Sequence, residues 1–436
     1  MCRRDASSSP CPSIEIIVPP AGRKRGIGFR SPVHEIPWSA TCQTGCVPAP
    51  STPELSRLDG AASPFGLYLH VPFCATRCGY CDFNTYTAGE LGASTSPQAW
   101  AEAIDGELAL ARRALGDVPV STVFVGGGTP SLLGGDGLAA LLDTARRHFT
   151  FADDAEVTTE SNPESTSPEF LARLREAGFT RISLGMQSAA AHVLRVLDRT
   201  HTPGRAVAAA KEARAAGFDH VNLDLIYGTP GESDDDLRAS LDAVLDAGVD
   251  HVSAYALIVE DGTALARRIR RGELPDTDDD VLAHRYEMLD GVLRDAGFDW
   301  YEVSNWARSE AGRCRHNELY WEGANWWGAG PGAHGHVAGT RVWNVKHPAR
   351  YADAVAGGAL PIAGHEVLTD EDRHVEDVML RVRMRSGIPL AVLRPDEASR
   401  AEDEVAVGNL DRARDAYVLT DAGRLLADGV VRRILG

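Results

Sequence analysis

The chain has 436 residues, a formal charge of −18 and 44% hydrophobic residues. That acidity excludes a phosphate-tracking nucleic-acid surface, which needs a concentrated basic face, and no run approaches the roughly 20 apolar residues that cross a bilayer. The length suits one βα barrel of roughly 200 to 250 residues plus a smaller second domain, and the expected compartment is the cytoplasm.

Residues 1 to about 60 carry Ser and Pro clusters without a sustained hydrophobic period, and read as a disordered leader. Cys42 and Cys46 repeat a C-x-x-x-C spacing there, but no third thiol completes a site. Of the eight cysteines, four lie in the first 46 residues, three lie between 74 and 81, and Cys314 stands alone. Such a distribution is unlike a secreted disulfide framework.

From Leu67 a β-then-α period begins. Candidate strands are Leu67 to Val71, Ser121 to Val125, Ala155 to Glu160, Arg181 to Met186, His220 to Ile226 and His251 to Leu257. Amphipathic stretches such as Gln98 to Leu115 and Gly204 to Ala216 separate them. Repeated right-handed βα units predict an α/β fold built on a partial (β/α)6 barrel, whose active groups gather at the carboxyl ends of the strands. The unusual clusters fall there: Cys74 to Cys81 after the first strand, Gly126-Gly127-Gly128-Thr129-Pro130 after the second, Glu160-Ser161-Asn162-Pro163 ending the third. Gln187 closes the fourth, Asp224 sits near the end of the fifth, and Tyr255-Ala256 ends the sixth.

The spacing C-x-x-x-C-x-x-C at Cys74, Cys78 and Cys81 lets one loop present three thiolates to three irons of a [4Fe–4S] cube, leaving the fourth iron open to an external ligand. Zinc is the rival, but a structural zinc site wants four ligands, and His70 is awkwardly placed in its strand to join them. The glycine run by itself marks no more than a tight turn. Beside a cluster, however, it offers backbone stripped of side chains, against which an amino-acid-like ligand can lie, and it lacks the Lys-Ser/Thr ending of a P-loop.

Tyr68-Leu69-His70-Val71-Pro72-Phe73-Cys74 with Cys78, Tyr80 and Cys81 resembles the signature of radical S-adenosylmethionine (SAM) proteins of the oxygen-independent coproporphyrinogen III oxidase type. The resemblance runs from about residue 66 to the C-terminus. Within that group, Cys81-Asp82-Phe83-Asn84, Glu160-Ser161-Asn162-Pro163, Arg181 to Ser188, Asn222 to Gly228, Tyr301 to Asn305 and Gly328 to His334 are most similar to the HemW heme chaperones. The resemblance implies that SAM chelates the open iron and that Tyr68, Tyr80, Gly127, Gly128, Thr129, Glu160, Gln187, Arg199, Asp224 and Ala256 line the SAM site or sites. Charge logic agrees for three of them: Glu160 and Asp224 can accept from an ammonium or ribose hydroxyls, and Arg199 can fork onto a carboxylate.

Two departures separate chaperone from oxidase. The oxidases carry a further Cys two positions after the third ligand, where this chain has Phe83, and an aromatic, Arg-containing arm that residues 1 to 66 lack. Arg315-His316-Asn317-Glu318-Leu319-Tyr320 matches the His-Asn-x-x-Tyr element associated with heme in the chaperones, which makes His316 the implied axial ligand. Cys314 and Tyr320 could also ligate iron, while Trp306, Trp321, Trp326 and Trp327 offer aromatic surface for a flat macrocycle.

The expected division is therefore a leader over 1–60, a barrel over 61–300, a connecting segment with the heme element over 301–368, and a winged-helix-like α+β domain over 369–436. The acidic run Asp396 to Glu404 turns that last domain away from DNA and toward covering a substrate or docking a partner. Two functions stay open. One is a heme chaperone serving acceptors such as membrane-associated respiratory enzymes, supplied by an electron donor. The other is an enzyme that oxidatively decarboxylates coproporphyrinogen III in porphyrin biosynthesis.

Overall fold

A computed structural model describes residues 53, 55–58, 64–91 and 96–436. The expected leader lies outside them except at 53 and 55–58. By Leu58 the chain is already tied to the barrel, because this residue is buried and its N–H donates to the Leu115 carbonyl at 2.7 Å.

Six parallel strands form the centre: β1 (Phe65–Val71), β2 (Val120–Gly127), β3 (Phe151–Ser161), β4 (Arg181–Gln187), β5 (His220–Tyr227) and β6 (His251–Ala256). Leu67, Leu69 and Val71 on β1, and Val221, Leu223 and Leu225 on β5, show the two-residue alternation that turns every second side chain outward. Those outward residues pack on helices. In Pro97–Leu115, for instance, Ser96 caps the first turn and Ile104, Leu108, Ala111 and Leu115 are buried. The order β1 to β6 runs unbroken through neighbouring strands, as right-handed crossovers require.

The sheet does not stop there. Beyond β6 lie β8 (Asn305–Ala307) and β7 (Asp299–Glu302), both antiparallel additions. Beyond β1 lies β9 (Asn325–Ala329), parallel to it, then β10 (His334–Val337), β11 (Thr340–Asn344) and β12 (Ile362–Val367). Twelve strands result. Residues 301–368, set apart in the sequence as a connecting segment, thus supply strands to both edges of the barrel sheet, satisfying backbone groups that an open arc would leave unpaired.

The helix Arg315–Trp321 enters the barrel at the amino-terminal end of the strands. Gly66 on β1 leaves room for it: a Cβ there would lie 3.0 Å from Leu319 and 3.2 Å from the His316 ring. Residues from Asp370 onward form the smaller α+β domain. A three-stranded antiparallel sheet of Ile388–Pro389, Ala416–Leu419 and Leu410–Arg412 packs with helices Asp370–Arg381, Pro395–Ala406 and Ala427–Leu435 around Val378, Val382, Val430 and Ile434. Among the described residues, no helix is long and apolar enough to cross a membrane.

Candidate cluster and cofactor site

The carboxyl-terminal halves of the six parallel strands are largely buried, yet each strand keeps an inward position in partial contact with solvent: Tyr68, Phe124, Glu160, Gly185, Asp224 and Tyr255. Register places these positions around one interior. Tyr68 is level with Phe124, Glu160 with Ser183, Gly185 with Asp224, and Asp224 with Ser253. A closed barrel of this kind fills its interior with branched apolar side chains, whereas here the interior is polar and open toward the carboxyl ends.

The cysteine loop lies over that opening. Cys74, Cys78 and Cys81 are half-buried free thiols, with the Cys81 N–H donating to the Cys78 carbonyl at 3.2 Å and Thr129 Oγ1 lying 3.8 Å from Cys74 Sγ. Burial raises the Cys78 thiol, an effect the Arg199 charge partly offsets, and burial pushes Cys81 up to about 11. Cys78 and Cys81 are both also raised by the charge of neighbouring thiols, so three thiolates here call for a cationic group among them. Among the described residues, no three His, Cys, Asp or Glu side chains converge tightly enough for a single metal ion. Gly79 lets the loop sit against Asp198, since a Cβ would lie 2.3 Å from its Oδ2.

Behind the loop, His70 Nε2 donates to the Asn84 carbonyl at 2.9 Å, so its Nδ1 accepts from the Tyr68 hydroxyl at 3.0 Å. Burial holds this imidazole neutral, at about 4. Asn84 Nδ2 in turn donates to the carbonyls of Pro331 and Lys346, both at 2.9 Å, clamping the cysteine loop to the strands beyond β1. Gly127, at φ 112°, must be glycine because a Cβ would lie 2.5 Å from the His70 ring.

The acids and the arginine meet across the interior. Glu160 accepts the Gly127 N–H at 3.0 Å, and burial, with the Asp224 charge adding, pushes its carboxyl up to about 8. Burial also raises Asp224, against the stabilising effect of Ser183 Oγ at 2.9 Å and Asn222 Nδ2 at 2.6 Å. Arg199 donates to the Tyr80 hydroxyl at 3.3 Å, while its buried Nε has no hydrogen-bond partner among the described residues. Gln187 closes β4 at φ 66°, a left-handed conformation rare for a non-glycine residue. Two acids whose carboxyls burial raises, beside an arginine with an unused donor, fit a zwitterionic ligand, whose ammonium would take the acids and whose carboxylate the guanidinium.

The structure brings Tyr68, Tyr80, Gly127, Gly128, Thr129, Glu160, Gln187, Arg199 and Asp224 to the carboxyl ends of the strands, and Ala256 ends β6 beside Tyr227. His316 lies elsewhere. It is 1% exposed near the opposite end, where its ring nitrogens exchange hydrogen bonds with Thr122 Oγ1 and the Tyr320 hydroxyl, both at 2.8 Å. Burial holds that imidazole at about 4, and Phe124 stacks on it at 5.2 Å. Sequence reasoning passed over Phe124, Ser183, Asn222 and Ser253. Their signal was the alternation itself, since Asn222 and Asp224 interrupt a run of Val and Leu on every second residue.

Comparison with known proteins adds the family. The model of the Radical SAM superfamily matches residues 68–244. Over 384 residues the chain is 64% identical to "Heme chaperone HemW" of Mycobacterium tuberculosis (strain CDC 1551 / Oshkosh), covering 88% of this chain and 97% of that protein. It belongs to the HemW family. The HemW of Bacillus subtilis (strain 168) is 31% identical, over 85% of this chain and 98% of its own length. Among solved structures, coproporphyrinogen III oxidase (HemN) from Escherichia coli, a radical SAM enzyme, shares the fold with a TM-score of 0.74 at 22% identity, covering 85% of this chain and 90% of that one. Phe83, two positions after the third cysteine, is 61% exposed; Leu132 and Ile258, on the loops after β2 and β6, are 45% and 38% exposed. Three exposed apolar side chains therefore stand on loops at the carboxyl end of this HemW-family barrel.

Proposed function

We propose that this chain is a heme chaperone that holds a [4Fe–4S] cluster on Cys74, Cys78 and Cys81, binds SAM in the polar interior beside it, and passes heme to acceptor proteins such as respiratory enzymes, working in the cytoplasm with an external electron donor. The observation that carries this reading is the ring of solvent-touching inward positions, one from each parallel strand, directly under the three-thiol loop. Family membership supplies the heme.

When bound, cluster and SAM together would supply one-electron cleavage chemistry at the barrel mouth. The chain's own residues would do the rest. Arg199 forks onto the ligand carboxylate, Glu160 and Asp224 accept from its ammonium and ribose hydroxyls, and the backbone of Gly126 to Thr129 forms the floor against which the amino-acid end lies. Tyr68 and Tyr80 frame the site. The exposed Phe83, Leu132 and Ile258 offer apolar contacts for a hydrophobic macrocycle or an acceptor surface. For His316 to ligate heme iron, a ring nitrogen has to give up its bond to Thr122 or Tyr320, and because the residue is buried, loading there entails a movement of the helix Arg315–Trp321.

The test is anaerobic reconstitution with iron and sulfide, followed by heme titration read by absorbance. About four irons per chain are expected, lost on changing Cys74, Cys78 and Cys81 to Ala, together with stable heme uptake that His316→Ala weakens. Conversion of coproporphyrinogen III to protoporphyrinogen by the reconstituted protein with SAM and reductant would replace the chaperone reading with the oxidase one.

A further inference from the structure

A continuous run of buried hydrogen bonds joins the carboxyl end of the barrel to the helix that bears His316. Asn222 Nδ2 donates to Asp224 Oδ1 at 2.6 Å, and Asn222 Oδ1 accepts from His251 Nδ1 at 2.7 Å. His251 Nε2 is then the acceptor of the Tyr301 hydroxyl, also at 2.7 Å, and the Tyr301 oxygen accepts the N–H of Cys314 at 3.2 Å. Cys314 is the residue from which the helix Arg315–Trp321 starts. His251 is buried and neutral: burial, with the nearby Arg181 charge, lowers it well below 6.5. Its single ring proton therefore fixes the direction of every bond. All donors point one way, from the helix start toward the Asp224 carboxylate.

A one-way chain of this kind is cooperative, because each donor is polarised by the acceptor beyond it. Its strength depends on how much charge Asp224 offers Asn222. A ligand whose ammonium or hydroxyls take Asp224 draws that charge away, weakening each bond in turn. The helix start has a second anchor, where Glu156 receives the N–H groups of Arg315 and His316 at 3.3 and 3.1 Å and pairs with Arg181 at 3.1 Å. Slackening the first anchor thus loosens the helix without unfolding the barrel.

We infer that Tyr301, with His251 and Asn222, is a positioning residue that carries the ligand state of Asp224 to the helix bearing His316, so that SAM binding at one end of the barrel favours heme binding at the other. The inference rests on the proposed SAM and heme sites. Linkage makes the effect reciprocal: heme must tighten SAM by the same factor.

The experiment uses the cluster-reconstituted full chain with SAM and no reductant. SAM is expected to speed amide hydrogen exchange at Cys314 to His316 and to raise heme affinity, each about fivefold or more. Tyr301→Phe removes one hydroxyl and keeps the ring beneath the Arg313 guanidinium, 5.7 Å away. In that variant both responses should shrink to within about twofold, with SAM affinity in the absence of heme unchanged. Unaltered exchange in the native chain at saturating SAM, or a Tyr301→Phe variant that responds like it, would overturn the inference. A chain that takes up SAM but no heme sinks the heme reading instead, while the exchange measurement still decides the relay.

Discussion

Glu160 is kept as an acid where an amide would be more comfortable, and Glu160→Gln exposes the cost. The folded carboxyl titrates at about 8 against an ordinary 4.5. Between those values the unfolded chain has released its proton and the folded chain has kept it, so stability falls as pH rises, by about 1.4 kcal/mol per unit. Integrated over the whole window the ceiling is about 5 kcal/mol; partial solvent contact at this position trims it to about 2–4 kcal/mol. Gln cannot ionise, and its carbonyl still accepts the Gly127 N–H. Removing the Glu160 charge also relieves Asp224, which feels it across the interior. Urea denaturation of the ligand-free protein at pH 4, 6 and 8.5 should give nearly equal stabilities at the lowest pH and a variant more stable by about 2–4 kcal/mol at the highest. The same variant should bind SAM at least about tenfold more weakly, because the ligand ammonium has lost an anionic partner. Parallel stability curves for the two proteins would refute the reasoning.

The seam between the barrel and the C-terminal domain gives a second prediction. Arg424 reaches both oxygens of Asp290, at 2.9 and 2.7 Å, and lies 4.8 Å over the Trp300 ring. Arg424→Met leaves the buried Asp290 carboxylate with Arg294 and the Trp306 indole N–H as partners, so a loss of about 1–3 kcal/mol is expected, seen as a lower melting temperature and faster proteolysis in residues 370–436. Burial would raise Asp290, but Arg424 outweighs it and holds the carboxyl down at about 2. Its contribution is therefore present above pH 3.8 and is lost as pH falls through about 2, so acid unfolding of Arg424→Met should carry less of that component. Asn84→Ala removes two of the bonds that clamp the cysteine loop to the strands beyond β1, leaving the Tyr86 hydroxyl on the Lys346 carbonyl. Faster cluster loss to a chelator, with unchanged thermal stability of the cluster-free protein, is the expected result, and equal loss rates would count against the clamp.

The six parallel strands were readable because each is a short run with a two-residue period, flanked by helix starts and glycine turns. Glu160 and Asp224 could be placed at or near strand ends for the same reason, and the three cysteines were picked out by their spacing alone. His316 illustrates the opposite case. Its motif was plain in the sequence, but nothing local said that Thr122, Phe124 and Tyr320 would enclose it, since Thr122 and His316 are 194 residues apart.

By itself, then, the sequence determined the local conformations, the loop that presents three thiols, and the side of the barrel on which the chemistry gathers, because those depend on neighbours within a few residues. Only the tertiary structure decided that residues 299–367 extend both edges of the barrel sheet, that β9 pairs with β1, and that a directed chain of hydrogen bonds links Asp224 to Cys314. These are pairings between distant segments, selected by the burial of whole faces and the satisfaction of buried polar groups, and no stretch of sequence carries that choice alone.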